Sequence, residues 1–312
     1  MVCRNICFVA LVIIGVTYQC EGWFFRKRRY YDVSASGRFT CGGTPIADAR
    51  VYIKDRELVG IYGKTIASGW TDANGGFSLS GRGRDVFDGK PDVYVQLDYN
   101  YQDKMMVKDR ISSTRRYKSS WKKNFSGAFN IGTVNLNDEH CKAYNHFRNA
   151  VRDFISRAGR PLPRSSVYVV TNALIHGGTP WAMTQRIRIP SGYSLTGNTA
   201  KHELAHIARH TLDGSAAHFL VDVARYGYAR NHNLYMSTNE GFAFNEGWAE
   251  YWAGDCSYTS GDGTDMKIEG NVAAALCKLA KCKGHPAMWK TLEANRGRIH
   301  SYNDFVQRMG NC

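Results

Sequence analysis

The rhythm of apolar and polar positions changes near the middle of the chain. From about Val33 to Leu136 it is a rhythm of two: Val93, Val95, Leu97 and Tyr99 alternate with Tyr94, Gln96, Asp98 and Asn100, and Val51-Tyr52-Ile53 sits among charged neighbours. Successive side chains of an extended strand point to opposite faces, so this alternation predicts strands that turn one face to a core. Asp72-Ala73-Asn74-Gly75-Gly76 lies between Trp70 and Phe77-Ser78-Leu79. Asn and Gly tolerate the positive φ of tight reversals, so this stretch reads as a turn. A further strand is expected through Phe129 to Leu136. Short strands parted by such turns predict a β-sandwich.

From Glu139 the rhythm becomes helical. Tyr144, Phe147, Val151, Phe154 and Ile155 recur at the spacing of one helix face, which predicts an amphipathic helix ending at Gly159. Val167 to Val170 reads as a strand. So does 186–189, which is stopped by Pro190-Ser191-Gly192 and expected at a sheet edge. Helices are expected over 199–212, 215–226, 241–254, 269–281 and 286–295, with a last one after Ser301. A few strands followed by helices make an α+β, mostly helical unit. A chain of 312 residues exceeds what one core usually supports, so two domains are expected, 33–138 and 139–312.

Residues 1–22 read as a secretory signal. Arg4 precedes an apolar run from Phe8 to Val16, too short to span a bilayer, which takes about 20 residues. A cut after Gly22 leaves no transmembrane anchor, and the mature chain is expected outside the cell. Of nine cysteines, Cys3, Cys7 and Cys20 precede the cut. Cys41, Cys141, Cys256, Cys277, Cys282 and Cys312 remain, an even number that in an exported chain implies disulfides, with the pairing open. None of them has the spacing of a cysteine zinc site. Asn124-Phe125-Ser126 is a glycosylation sequon.

The net charge is +14, with basic residues gathered at 26–29 and between Lys104 and Lys123. The first cluster also has the look of a processing site. Outside a cell such charge favours an acidic glycan or anionic surface, with a merely solvated basic face as the alternative. No nucleic-acid-binding motif is present, so nucleic acid is not an expected partner.

Chemistry is concentrated in the second half. His202-Glu203-Leu204-Ala205-His206 places two imidazoles four residues apart, on one face of a helix, where both can reach a single ion. Glu203 then stands beside that ion, able to take a proton from bound water. Further on, Phe244-Asn245-Glu246-Gly247-Trp248-Ala249-Glu250 sets Glu246 and Glu250 on one face of a helix that is otherwise apolar. Carboxylates in such surroundings are costly unless a metal or a charged partner compensates them. Glu246 is therefore the candidate third ligand. Glu250 can hold the second nitrogen of a ligating histidine.

Two resemblances follow from these residues. SGRFTCGGTPIADARVYIKD, TDANGGFSLSG, PDVYVQLDY and FNIGTVNL resemble the transthyretin-like domain common among secreted nematode proteins. That resemblance implies a sandwich and a bridge between Cys41 and Cys141, but no catalytic role. HELAH with NEGWAEYWA resembles the gluzincin zinc peptidases, especially the N-E-G-F-A-x-Y segment of zinc aminopeptidases. It implies Zn²⁺ held by His202, His206 and Glu246, with Glu203 as base and Glu250 supporting a ligand. The substrate-amine motif of the aminopeptidases is absent, so exopeptidase action is not implied. A metzincin would need a histidine at position 212, which is Leu212. Glu269, in a helix start similar to one that follows N-E-G motifs in other zinc-peptidase-like chains, is a further candidate near the metal. His210 is expected on the surface. His285, His300 and Tyr302 are candidates to stabilise an oxyanion.

The expected function is thus a secreted zinc peptidase acting on a peptide or protein substrate. The alternative is an extracellular binding protein, for ligand, glycan or protein, with a silent zinc domain.

Overall fold

A computed structural model describes residues 29–56, 63–85, 89–110, 113–163, 166–174, 179–226 and 232–312. The expected leader 1–22 and the basic residues 26–28 lie outside the described residues. Among the described residues the first half has nine strands: β1 (Tyr31–Cys41), β2 (Thr44–Pro45), β3 (Ala49–Asp55), β4 (Lys64–Trp70), β5 (Gly76–Gly83), β6 (Val93–Tyr101), β7 (Met105–Lys108), β8 (Arg116–Lys118) and β9 (Gly127–Leu136). One sheet runs β2-β1-β5, with β9 parallel to β1. The other contains β7-β6-β3-β4, with β8 on β6. The alternation in β3 and β6 does what its period predicts: Val51, Ile53, Val93, Val95 and Leu97 are all fully buried.

The expected turn between β4 and β5 closes on Asp72, whose Oδ1 accepts from the backbone N–H groups of Asn74 and Gly76, both at 2.8 Å. Gly75 has φ 78°, and a Cβ there would collide with the Phe39 carbonyl, so only glycine fits.

The second half contains α1 (Glu139–Ala158), β10 (Val167–Ala173), β11 (Trp181–Met183), β12 (Arg186–Pro190), α2 (Gly197–Leu212), α3 (Ala216–Tyr226), α4 (Glu240–Ala253), α5 (Glu269–Lys283), α6 (His285–Ala294) and α7 (Tyr302–Met309). Asp138 caps α1 by accepting from Cys141 N at 2.8 Å. Gly159 ends the helix in the left-handed conformation, φ 65°.

The strands of the second half do not form a sheet of their own. β10 pairs parallel with β7, from Val167 opposite Met105 to Val170 opposite Lys108. One eight-stranded sheet therefore runs β11-β12-β10-β7-β6-β3-β4, with β8 beside β6, across both halves. α1 lies against it: the Tyr144 hydroxyl donates to Ala47 O at 2.9 Å, and Cys141 is bonded to Cys41. One hydrophobic cluster reaches from Val33 to Phe305. β12 is not an edge strand, contrary to expectation. β11 pairs antiparallel with its outer side, so β11 forms the edge.

Helix α4 is buried on nearly every face, as its continuous apolar sequence requires. Trp248 meets Trp289 at 5.0 Å and Phe305 at 5.6 Å, in edge-to-face contacts. Gly247 faces α5: a Cβ there would lie 2.7 Å from the Val272 side chain and 2.8 Å from Glu269 O. The glycine of the N-E-G motif thus sets the close approach of α4 and α5. Two further disulfides, Cys256–Cys277 and Cys282–Cys312, fasten the helices. Among the described residues, no helix is long and apolar enough to cross a membrane.

Candidate metal centre

Helix α2 starts where Thr196 Oγ1 accepts from Thr199 N at 3.1 Å. One turn later it turns His202 and His206 to the same side, their Nε2 atoms 3.1 Å apart. Helix α4 crosses α2 with Glu246 facing this pair. Its Oε2 lies 3.3 Å from His202 Nε2 and 3.2 Å from His206 Nε2. A tetrahedral ion with N and O ligands at about 2.0–2.1 Å holds neighbouring donor atoms roughly 3.3 Å apart. The three donors therefore already form one face of such a shell, and His202, His206 and Glu246 could hold a metal ion.

Glu250, one turn after Glu246, stands with Oε1 3.0 Å from His202 Nδ1. Burial alone would push the His202 imidazole down, but hydrogen bonds to Glu246 and Glu250 carry it well above the usual range. Burial would raise Glu246, but His206 and His202 hold it well below the usual carboxylate range. Glu203 is buried in the same cavity, and burial raises its carboxyl, with the two histidines opposing. Asp255 at the rim is pushed up to about 6 by burial and by its hydrogen bond with Glu250.

A buried polar brace ties the two helices together behind the triad. Arg209 on α2 donates to Asn245 Oδ1 and, at 3.4 Å, to Ile299 O. Asn245 donates to Asp222 Oδ2 at 3.1 Å, and His300 Nδ1 lies 3.2 Å from Asp222 Oδ1. Asn245 immediately precedes Glu246 and Arg209 follows His206 by one turn, so the brace fixes the register of both ligand-bearing helices. Burial lowers the Arg209 guanidinium to about 10, against the pull of Asp213 and Asp222, so it stays a cation at neutral pH.

His210 does not lie on the surface. It is 4% exposed, because α3 covers that side of α2 and the Phe219 ring packs against its ring, tilted, with centroids 4.7 Å apart. Burial lowers it to about 3, so it is neutral. None of the three proposed oxyanion groups lines the cavity: His300 joins the brace, His285 pairs with the Tyr251 hydroxyl, and Tyr302 packs against the core. His232 and Tyr193 line it instead. His232 Nε2 lies 3.7 Å from Glu246 Oε2, and its Nδ1 lies 4.0 Å from Glu269 Oε2. A lone histidine between two asparagines carries no spacing signal, so sequence pattern could not single it out. Glu269 does reach the cavity and is pushed up to about 8, by burial first and then by Glu246 and Glu250.

The cavity encloses about 410 Å³, and its wall includes Trp181 and Ala182 of the edge strand β11. That is room for a peptide side chain and its flanking backbone.

Comparison with known proteins separates the two halves. The transthyretin-like family (TTR-52) matches residues 36–119, so the first half carries a transthyretin-like β region. No curated protein matches the chain. Among solved structures, a 9R-lipoxygenase from Cyanothece PCC8801 aligns at 16% identity over 40% of this chain and 23% of its own, with a TM-score of 0.25. The major plantain pollen allergen Pla l 1 aligns at 16% identity over 36% of this chain and 95% of its own, with a TM-score of 0.21. Neither likeness is close enough to speak for fold or function.

Proposed function

We propose that the chain is a secreted zinc peptidase of gluzincin type, with His202, His206 and Glu246 as ligands and Glu203 as general base. The observation that carries this reading is the triangle of donor atoms, with sides of 3.1, 3.2 and 3.3 Å, facing a cavity that also holds Glu203. Two nitrogens and one carboxylate oxygen are the donor set of hydrolytic zinc sites that keep one position open. Bound there, Zn²⁺ would supply a Lewis acid able to activate water near neutral pH. Glu203 takes the proton from the attacking water and passes it to the leaving amine. Its raised pKa brings it nearer to neutrality, where a proton carrier works best. Glu250 fixes the His202 tautomer, so that Nε2 is the free donor. The unpaired edge of β11 borders the cavity and offers an extended peptide a strand to pair with. The three disulfides suit an oxidising, extracellular setting.

The test is metal content per chain on the purified protein, beside Glu203→Gln in a peptide-library cleavage assay. Cleavage should fall by about 10²–10⁴-fold with the metal retained. Folded protein that takes up no divalent ion would end the reading.

A second observation favours an added binding role for the first half. On the outer face of β4, β3, β6 and β8, Arg50 lies over Trp70 at 4.6 Å and Lys54 over Tyr52 at 5.1 Å. Arg116 and Lys118 stand two strands away. Asp98, held by Gln96, is an acid within this group. Such a face suits an acidic glycan. Salt-sensitive retention on heparin that is lost in Arg50→Gln/Lys118→Gln would support it.

A further inference from the structure

We propose that a second divalent cation binds beside the first, held by His232 and Glu269 with Glu246 as the bridging carboxylate. The proposal rests on the first triad only through Glu246. One ligand atom from each of His232, Glu246 and Glu269 lies within 4.8 Å of the others, and these residues line the same cavity as His202 and His206.

Glu269 supplies the independent observation. It is 3% exposed, and its Oε2 has no hydrogen-bond partner. His232 Nδ1 lies 4.0 Å from it and is itself without a hydrogen-bond partner. A carboxyl group taken out of water without a hydrogen bond or a cation is destabilising. The packing of α4 on α5 nevertheless enforces this position, since the missing side chain of Gly247 lets the first turn of α5, with the Glu269 carbonyl, settle against α4.

The charge of the cavity points the same way. Five carboxyl groups line it: Glu203, Glu246, Glu250, Asp255 and Glu269. Among the described lining residues there is no lysine or arginine, although the chain as a whole carries +14. One dication held by His202, His206 and Glu246 leaves Glu269 Oε2 without a partner. A second dication between Glu246, Glu269 and His232 gives both unpartnered groups a cation to bind.

The two sites differ in kind. The first has two nitrogens and one oxygen already at the separations of a tetrahedral shell. The second has one nitrogen and two oxygens, which suits a harder or borderline ion such as Mn²⁺, Co²⁺ or Zn²⁺. Its donors, up to 4.8 Å apart, must draw together to reach the roughly 3.3 Å spacing of a bound shell, so it fills at higher metal concentration.

The experiment is metal titration of the full mature chain with its disulfides intact. The protein is stripped with a chelator, dialysed to equilibrium against rising concentrations of Co²⁺ or Zn²⁺, and the bound metal is read by elemental mass spectrometry. Electron paramagnetic resonance of the Co²⁺ form reports magnetic coupling between ions that share a carboxylate. Two equivalents with unequal affinity are expected in the wild type. Glu269→Gln should hold one and lose the coupling. His232→Asn, at a partly exposed position where folding is less at risk, should do the same; circular dichroism checks both. Saturation of the wild type at one equivalent overturns the proposal, and so does a second equivalent that persists in both variants. If the one remaining equivalent disappears in His202→Gln, the first triad stands while the second site falls. Folded protein that takes up no metal removes both.

Discussion

The β half and the helical half bury polar side chains for different ends. In the β half, several buried polar groups close on backbone. Thr71 Oγ1 donates to Ile46 O at 2.7 Å and accepts from Ala49 N at 2.9 Å. Asp55 accepts from Asp92 N, and Asp109 from Ser113 N, both at 2.9 Å. Each holds a turn or a strand end. In the helical half the buried groups are mostly ionisable, and they converge. Glu203, His206, Glu246 and Glu269 face one cavity, while Arg209, Asn245 and Asp222 brace the helices that carry them. Buried charge that serves no backbone group destabilises a fold, so its concentration in one place marks where architecture yields to chemistry. The family match on 36–119 falls on the half whose polar groups are spent on architecture.

The sharpest way to break this contrast is Arg209→Met. Removing this buried cation leaves Asn245 Oδ1 and Ile299 O without their donor and takes a nearby positive charge from Asp222, and the expected loss is about 3–5 kcal/mol, with weaker metal retention. Leu97→Ala in the β half should cost about 2–5 kcal/mol through a cavity in a fully buried position, with metal binding per folded chain unchanged. Chemical unfolding followed by metal analysis of the folded fraction checks both. Equal effects on metal retention would erase the distinction between brace and packing.

The next prediction concerns whether the halves are separate at all. The Cys41–Cys141 bond closes a loop of 100 residues in sequence, and the shared sheet and shared core join the same regions. Replacing both cysteines with alanine should cost about 2–4 kcal/mol. Unfolding should remain one transition by far-ultraviolet circular dichroism and by tryptophan fluorescence, because β7 and β10 stay paired. Two resolved transitions would mean that the bond, not the sheet, couples the halves.

Local pattern carried much of this structure. The periods of β3, β6, α1, α2 and α4 are visible in sequence because each element buries one face, or all of them, against neighbours. The i, i+4 spacing set His202 with His206, and Glu246 with Glu250, on common faces for the same reason. What escaped was non-local. The pairing of β7 with β10 joins segments about sixty residues apart in sequence, and nothing in Met105–Lys108 announces its partner. β11 was not expected, so β12 read as an edge. His210 read as exposed because the cover comes from Phe219 on another helix. His232 has no spacing partner. It reaches the cavity on the segment that leads into α4, which only the folded chain shows.

The smallest expected effect tests the rim of the cavity. Asp255 has its carboxyl raised to about 6 by burial and by the hydrogen bond to Glu250. Glu250 is itself engaged by His202, so the shared proton resides on Asp255. A carboxyl raised in the folded state contributes stability that is fully present below its unfolded value. That contribution is lost as the pH rises through about 6. Asp255→Asn keeps a neutral hydrogen-bond donor at this position at every pH. In chelator-treated protein the variant should therefore match the wild type near pH 4 and exceed it at pH 7.5. The position is partly exposed, so solvent screening limits the gain to no more than about 1 kcal/mol. That corresponds to roughly 2–4 °C in melting temperature for a protein of this size. Equal melting temperatures at both pH values would show that Glu250 and Asp255 do not share a proton. The excess negative charge of the cavity would then stand fully ionised at its rim.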